Sequence, residues 1–426
     1  MISKIKIWHF LVALFAAILL LRFNNVIELI SILFLYVRLI IGSPSTAFKL
    51  FDITILDYFL AVLVLLSIPV FTLILRNRIR VLKSKLEFVF GIIIVLVVTA
   101  LLAPIISTSN PKFQYDIANA KLLPPLSTKK IITLSPKFSE DNSLTERFIE
   151  AFRSYHSETK NEEAFIVDDI QIDDTVTLIQ GNKTKEIKKE YLSENNLEIK
   201  TTSRFFILGT DEFSRDIFSR IIYGARLSLF IGIASVIISL IVGLTLGFLS
   251  GFTGGVTDTI FNRTTEMFLA FPMIFLIILI VALFGNSLIV VVLVLGLSGW
   301  MSLFKIVRSE VISLREKDFI VTSKMLGYSK SKILIKEMFP LLMAPIVTNL
   351  VLQFSNVIIA ESALSYLGLG LGNNYASWGS MIEAGQYYLT SAWWMSFSPC
   401  GFLILTVISI NILGNKMESL LDPRLR

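Results

Sequence analysis

The sequence predicts an all-α membrane protein with several spans and a small α+β insert on the extracytoplasmic side. Hydrophobic residues make up 54% of the chain and charged residues only 17%, whereas soluble domains carry about 25% charged residues. The apolar residues form long runs, as bilayer-crossing helices require, and one polar stretch interrupts them. The net charge of +6 gathers in short segments between these runs, which indicates cytoplasmic loops rather than a nucleic-acid surface.

Residues 1–86 form an extra N-terminal membrane region that ends in a basic cytoplasmic linker. The run Ile7–Leu21 lacks a small-residue cleavage site behind it, so we expect a retained anchor rather than a signal peptide. The run Ile55–Leu75 is long enough to span. Between them, Ile27–Ile41 has a core too short to cross comfortably. It either spans or lies in the interface, and the interfacial placement keeps every basic cluster cytoplasmic.

The core contains six further apolar runs. Residues 87–109 hold the first, Phe88–Ile106. Residues 207–426 hold the other five, which are Leu227–Leu249, Phe268–Phe284, Leu288–Phe304, Leu341–Leu364 and Phe397–Leu413. The turn at Gly285 predicts a tight membrane hairpin. The count is eight spans with both termini in the cytoplasm, or nine if Ile27–Ile41 crosses.

Residues 110–206 contain no run that could cross a membrane. A helix is predicted where apolar side chains repeat at helical spacing, at Leu144, Phe148, Phe152 and Tyr155. Ala164–Ile172 is typical of a short strand. The insert is therefore expected to be a small α+β domain.

Metal and nucleophile chemistry find little support in the composition. Cys400 is the single cysteine, which excludes a disulfide within the chain, and the two histidines, His9 and His156, are far apart. We therefore expect no catalytic residues and no metal site.

The polar stretch 305–340 is the most basic of the second half, so we place it in the cytoplasm. It predicts a short helix, Phe319–Leu326, that ends at Gly327 in a left-handed cap. A second helix, Ser329–Phe339, starts at a serine cap and stops at Pro340. Two short helices of this kind offer a compact surface that another protein could grip. The alternative is an ordinary interfacial loop whose lysines reach lipid headgroups.

Two further sets of polar residues are candidate functional sites. The first precedes a span at the outer interface, where we expect inexpensive interfacial ion pairs that act either as a gate or docking rim or as simple anchors. Its members are Asp211, Arg215, Asp216, Arg220 and Arg226. The second lies on one face of the fourth run of the second half, either lining a path or hydrogen bonding between helices. Its members are Asn349, Gln353 and Asn356, with Glu361 at the outer end.

Several segments resemble the permeases of ABC importers. Asp318–Pro340 resembles their EAA loop, with Ser323 at the second alanine and Gly327 at the invariant glycine, although Val321-Thr322-Ser323 replace Glu-Ala-Ala. Leu208–Leu229 resembles the pattern of the oligopeptide/dipeptide/nickel branch, second-permease (OppC/DppC) type, with Ser214 in place of a glycine. Further matches at the turn after the second core span and along the last third of the chain follow in the same order. These are Gly254-Gly255, Asp258, Arg263, Glu266, Pro272, Glu361–Gly370, Trp378-Gly379, Trp393-Trp394, Asn411, Leu413-Gly414 and Asp422-Pro423-Arg424.

The resemblance implies a type I permease fold in a bacterial cytoplasmic membrane. It implies a second permease subunit, two ATPase subunits and an extracytoplasmic solute-binding protein as partners, with membrane lipid around the spans. The ATPase-coupling residues would be Asp318, Thr322, Ser323, Lys324, Gly327 and Pro340. The chain has no G-x-x-x-x-G-K-[ST] motif, so ATP and Mg²⁺ are expected on the partner ATPases and no cofactor on this chain.

Three alternatives stay open. The cargo could be nickel or another small solute instead of peptides. A secondary transporter would work without ATPases, but the ion-coupling carboxylates that it needs inside spans are scarce here. A membrane sensor would use the 110–206 insert as its working part.

Overall fold

The computed structural model describes residues 7–78, 84–136, 143–156, 164–167, 169–172, 175–180, 183–188, 197–372 and 375–421. The N-terminal region consists of four helices: α1 (Ile7–Leu21), α2 (Phe23–Gly42), α3 (Pro44–Lys49) and α4 (Ile53–Arg78). The first core span is α5 (Ser84–Leu101), followed by the short helix α6 (Ala103–Ile106). Apolar side chains of α1, α2 and α4 form one buried cluster together with Leu102, Ile105 and Phe148, so the N-terminal region shares its core with the first core span and the insert.

The insert has the expected α+β composition. In the parts of the insert that the structure describes, helices α7 (Ile117–Ala120) and α8 (Leu144–His156) accompany six strands in two antiparallel sheets. The first sheet has the order β2-β1-β6 and the second β3-β4-β5. The strands are β1 (Ser127–Pro136), β2 (Ala164–Val167), β3 (Asp169–Ile172), β4 (Thr175–Gln180), β5 (Lys183–Lys188) and β6 (Leu197–Phe206). The single strand predicted over Ala164–Ile172 is wrong, because β2 and β3 belong to different sheets.

The second half contains the longest helices. They are α9 (Ile217–Thr253), α10 (Gly255–Ala270), α11 (Met273–Phe284), α12 (Leu288–Arg315), α13 (Asp318–Met325), α14 (Lys330–Lys332), α15 (Phe339–Tyr366), α16 (Trp378–Gln386) and α17 (Trp394–Leu421). Within the described residues, six helices are long and apolar enough to cross a membrane. They are Phe23–Gly42, Thr54–Leu73, Ile217–Thr253, Leu288–Arg315, Lys330–Tyr366 and Trp394–Met417.

Glycines on one face of α9 bring it very close to α12. A Cβ at Gly243 would lie 2.9 Å from the backbone oxygen of Trp300, and one at Gly247 would lie 2.7 Å from the Cβ of Val307. Gly251 continues the row against α12. Lipid tails are as apolar as leucine, so close approach between small residues, rather than a hydrophobic effect, stabilises helix pairs in a membrane. This pair is the centre of the membrane domain.

The predicted span Phe268–Phe284 is wrong as a single straight helix. The chain breaks at Phe271-Pro272, and α10 and α11 meet at a bend of 86°. Helix α11 has 12 residues and is therefore only about 18 Å long, which is short of the roughly 30 Å hydrocarbon thickness. Proline cannot continue the helix because it lacks the N–H and clashes with the preceding turn. The predicted tight turn at Gly285 is present, with φ +85°.

The stretch 305–340 is more helical than predicted. Its first part is the end of α12, with Val307 and Val311 fully buried, because apolar positions in this basic segment continue the helical spacing. The predicted stop at Pro340 is also wrong. Helix α14, a π-helical segment (Ile333–Met338) and α15 form one continuous helix of 37 residues. The wider π turn lies just before Pro340. In a regular α-helical turn the ring of this proline would clash with the carbonyl four residues earlier.

The run Ile27–Ile41 lies within α2, which has 20 residues. The expectation that this segment is too short to span is therefore wrong, since an α-helix of that length covers about 30 Å. Length and composition alone leave both placements of α2 open.

Candidate functional site

The cytoplasmic end of α12 and the segment 318–340 form one compact unit, which we call the handle. Ile320 on α13 is buried against Val307, Val311 and Leu314 of α12 and against Ile333 and Met338, and Ser323 on the same helix is also buried. Because α12 has 28 residues, it is about 42 Å long and extends about one third of its length beyond a hydrocarbon core of roughly 30 Å. A rigid stem therefore carries the handle.

Backbone hydrogen bonds fix the bend at Gly327, as the sequence predicts. Gly327 has φ +75°, and the amide of Tyr328 donates to the carbonyl of Ser323 at 3.1 Å. This six-to-one bond is typical of a Schellman cap, which requires a residue in the left-handed region. The serine cap is also confirmed, since Ser329 Oγ accepts from the amide of Lys332 at 3.3 Å.

The predicted coupling residues divide into one internal and five external positions. Ser323 is buried, so its small size serves packing within the handle. The others are exposed at the surface: Asp318, Thr322, Lys324, Gly327 and Pro340. Large apolar side chains surround them on the outside, including Met325 at 82% exposure, Leu326 at 69% and Ile335 at 67%. An exposed apolar patch with a basic rim is the composition expected of a protein-binding surface.

A bidentate ion pair joins α12, the stem that carries the handle, to α10, which we call the elbow helix. Arg308 of α12 donates from Nε to Asp258 Oδ1 at 2.5 Å and from Nη2 to Oδ2 at 2.6 Å. Asp258 also accepts from Ser250 Oγ at the end of α9. Paired guanidinium–carboxylate bonds of this type fix both distance and orientation. The sequence marks Asp258 as a motif residue but gives no sign that Arg308 is its partner.

Four of the five residues predicted at the outer interface are buried within the protein. Asp211, Arg215, Asp216 and Arg220 each have at most 5% of their surface accessible, so they do not form the inexpensive interfacial pairs that the sequence predicts. Arg215 Nε lies 2.6 Å and Arg220 Nε 3.5 Å from Asp211 Oδ2. The chain buries these charges by pairing them, as burial of charge requires. This fixed arrangement favours anchoring over a moving gate.

Glu212 completes this cluster and is its least satisfied member. Arg215 Nη2 lies 3.5 Å from its Oε1, and its Oε2 has no hydrogen-bond partner in the described part of the chain. Burial first, and then the neighbouring Asp211 carboxylate, raise the pKa of Glu212 above its ordinary value. A carboxylate in this position destabilises the fold once it ionises.

The two remaining residues of the predicted outer set act separately. Asp216 caps α9, with Oδ2 accepting from the amide and the hydroxyl of Ser219 at 3.0 and 2.6 Å. Arg226 donates to Asp57 of α4 at 2.6 Å and to the carbonyls of Ala100 and Leu101 at 3.0 and 3.2 Å. Arg226 therefore fastens the extra N-terminal region to the core, a pairing that no local sequence pattern indicates.

The predicted polar stripe on α15 does not share one environment. Asn356 is exposed, Asn349 is half-buried and Gln353 is only 8% exposed. Gln353 packs directly over Gly299 of α12, where a Cβ would lie 1.7 Å from its Nε2. Both polar atoms of the Gln353 side chain lack a partner among the described residues. The three residues therefore face different surroundings although their spacing predicts one face.

Glu361 is enclosed instead of marking a pore mouth in this arrangement of the chain. It is 1% exposed, and Ser365 Oγ donates to its Oε1 at 3.0 Å. Helix α16 closes over this position, since a Cβ at Gly379 would lie 2.7 Å from the Cα of Ser362. This burial does not support the prediction that Glu361 marks a pore mouth. Within the ranges that the structure describes, no group of three or more metal-ligating side chains occurs.

Comparison with known proteins identifies the family. The model of the binding-protein-dependent transport system inner membrane component matches residues 243–426. The dipeptide transport system permease protein DppC of Bacillus subtilis is 35% identical over 241 residues, 56% of this chain and 74% of that protein. The oligopeptide transport system permease protein OppC of Escherichia coli is 37% identical over 216 residues, 51% of this chain and 72% of that protein.

A solved structure of the inward-facing MetNI methionine ABC transporter covers 47% of this chain and 96% of its own, with 16% identity and a TM-score of 0.39. The relatives and the apolar helices agree on a multi-pass protein of the cytoplasmic membrane. The chain therefore belongs to the family of binding-protein-dependent transport system inner membrane components, and within it to the OppC/DppC type of permease.

Proposed function

We propose that this chain is one of two permease subunits of an ATP-driven importer for dipeptides or oligopeptides. Its relatives DppC and OppC, at 35% and 37% identity, carry these substrates in their names. The observation that carries the coupling role is the handle, an apolar and basic surface on a stiff stem with a fixed bend at Gly327. A separate ATPase that grips this surface could move α12 as a lever.

The partners follow from this role. A second permease subunit would close the translocation path, two ATPase subunits would bind ATP and Mg²⁺ and contact the handles, and a solute-binding protein would deliver cargo outside. Nucleotide changes the arrangement only if it binds one state more tightly than the other. Among the candidate path residues, exposed Asn356 is best placed to face a partner subunit, whereas Gln353 and Glu361 would become accessible only after rearrangement. The insert at 110–206 is well placed to meet the binding protein.

The coupling role is tested with Gly327→Val and a matched control, Gly285→Val. Both glycines have positive φ, +75° and +85°, and an added Cβ at either would meet no atom of the described residues within 4 Å. Valine strains the backbone by about 1–2 kcal/mol at Gly327, and by more at Gly285, whose φ of +85° and ψ of 169° lie in a region that is almost exclusive to glycine. The control variant therefore carries at least the backbone strain of the test variant. Only Gly327 lies in the handle; Gly285 lies in the turn between α11 and α12 on the outer side.

In the reconstituted complex, we expect Gly327→Val to insert normally but to lose ATPase binding and peptide uptake, while Gly285→Val keeps both. Normal uptake by Gly327→Val would remove the coupling role. The cargo is tested separately by competition of labelled dipeptide uptake with unlabelled peptides and with Ni²⁺. Uptake of Ni²⁺ without peptide uptake would favour the small-solute alternative, and uptake without any ATPase would favour a secondary transporter.

A further inference from the structure

Helix α2 of the N-terminal region pairs with helix α8 of the insert along most of its length. At one end, the rings of Tyr36 and Phe148 lie 5.3 Å apart. At the other end, Phe152 and Tyr155 of α8 pack against the cluster that contains Val26 and Leu29 of α2. The part of α2 between residues 26 and 36 is about 15 Å long, at 1.5 Å per residue. Wherever α8 lies relative to the membrane, α2 lies beside it.

Helix α8 belongs outside the hydrocarbon. It is part of the hydrophilic insert, which joins the outer ends of α5 and α9. Its face away from α2 carries exposed Glu146 and Arg147, and a single charge at the bilayer centre costs about 2.5–3.5 kcal/mol on insertion scales. Because α2 runs beside α8, a membrane-spanning α2 would pull these charges into the bilayer.

The connection after α2 leads to the same conclusion. Helix α4 begins at the outer interface, because Asp57 in its first turns pairs with Arg226 beside the carbonyl groups that end α5. The chain between Gly42 and Ile53 contains the six-residue helix α3. At full stretch it reaches roughly 28 Å, from about 7.5 Å between the ends of the helix and six extended links. This falls short of a hydrocarbon core of roughly 30 Å, so α2 both starts and ends outside.

The face of α2 that α8 and α4 leave uncovered is apolar. Its large hydrophobic side chains are 40–78% exposed and comprise Phe23, Ile27, Ile30, Phe34, Val37, Ile40 and Ile41. Helix α4 shares a buried cluster with α2 and has exposed apolar residues of its own, such as Leu56, Leu60 and Leu63, within a candidate membrane span. The guanidinium of Arg38 lies 4.8 Å from the ring centroid of Phe34, so a cation borders the apolar strip as in helices that bind membrane interfaces.

We propose that α2 lies in the plane of the membrane, with the strip from Phe23 to Ile41 inserted in the outer leaflet. Lipid is the occupant because α2 packs beside α4, a candidate membrane span, and because soluble surfaces rarely expose so large an apolar area. The helix then holds the insert against the membrane through α8. The chain has eight spans in this arrangement. The inference does not depend on the cargo or on ATPase coupling.

The test uses depth-dependent fluorescence quenching in the assembled complex. Cys400 is replaced by serine, and single cysteines are placed at Ile27, Phe34 and Ile41 for labelling with a small fluorophore. Leu63→Cys, near the middle of α4, is the matched control because it is similarly exposed, at 66%. Vesicles contain lipids with a nitroxide either near the headgroup or near the end of the acyl chain. Only variants that co-purify with the complex as wild type does are compared.

We expect the ratio of shallow to deep quenching to exceed one at all three α2 positions and to fall below one at Leu63. A ratio that drops below one at Phe34 and recovers at Ile41 would show that α2 spans, and would overturn the proposal. Absence of quenching by both lipids at all three positions would show that a protein covers the strip, and would equally overturn it.

Discussion

Ser214 occupies a backbone position that favours glycine. It has φ +62° and is completely buried, and its hydroxyl has no hydrogen-bond partner among the residues that the structure describes. The OppC/DppC pattern has glycine at the corresponding place in Leu208–Leu229, and this geometry supplies the reason. The amide of Ser214 donates to the carbonyl of Asp211 at 3.0 Å, so the tight turn that buries the outer cluster determines this conformation.

Replacing Ser214 with glycine should therefore stabilise the protein. Relief of the left-handed conformation contributes about 1–2 kcal/mol, and removal of a buried unpaired hydroxyl contributes about 1–3 kcal/mol. The greater freedom of glycine in the unfolded chain offsets about 0.5–1 kcal/mol of this. The net expectation is a gain of about 1–4 kcal/mol, with alanine intermediate because it removes the hydroxyl but keeps the strain.

Thermal unfolding in detergent, followed by intrinsic fluorescence, measures this series. We expect the midpoint temperature to be highest for Ser214→Gly, then to decrease through Ser214→Ala and the wild type to Ser214→Val, because a β-branched residue tolerates positive φ least. A chain of this length should shift by about 2 °C per kcal/mol or less. If Ser214→Gly unfolds at or below the wild-type temperature, the argument from strain and burial at this turn is refuted.

Three further changes test other contacts. Gly247→Ala should unfold at a lower temperature than the matched Gly401→Ala, because a Cβ at Gly247 meets α12 at 2.7 Å whereas Gly401 has open space. The expected difference corresponds to about 1–3 kcal/mol of overpacking. Equal midpoint temperatures would contradict the close packing of α9 and α12. Gly299→Ala should lower the unfolding temperature, because the added Cβ would meet the side chain of Gln353. Adding Gln353→Ala should restore that temperature, and additive effects of the two substitutions would disprove the contact. The pKa of Glu212 is raised in the folded protein, so its ionisation lowers stability as the pH rises above the ordinary pKa of a glutamate. Glu212→Gln should therefore raise the unfolding temperature at pH 7 but not below about pH 4. A pH-independent effect would show that charge is not the cause.

The ion pair between Asp258 and Arg308 gives the handle a mechanical connection to the rest of the membrane domain. The pair joins the elbow helix α10 to the stem α12, and Ser250 brings in the end of α9. Three helices therefore meet at the base of the handle. A displacement of α12 would carry α10 and α9 with it because their relative orientation is fixed by directed bonds.

Local patterns in the sequence determined most of the individual elements. Long apolar runs predicted α4, α9, α12, α15 and α17, because a bilayer requires about 20 apolar residues for a crossing helix. The bend at Gly327 and the serine cap at Ser329 were predictable because a cap depends on a few neighbouring residues. The family resemblance likewise rests on short ordered motifs, and the comparisons confirm it.

Contacts between distant residues were decided only by the tertiary structure. The spacing of Asn349, Gln353 and Asn356 predicts one face of a helix, yet Gly299 of another helix determines that Gln353 alone is enclosed. The partner of Arg226 lies 169 positions away in sequence, and the burial of Asp211 depends on helices α9, α16 and α17 meeting around it. Periodicity records which residues share a face, but not what that face contacts, because burial and pairing are properties of the packed helices together.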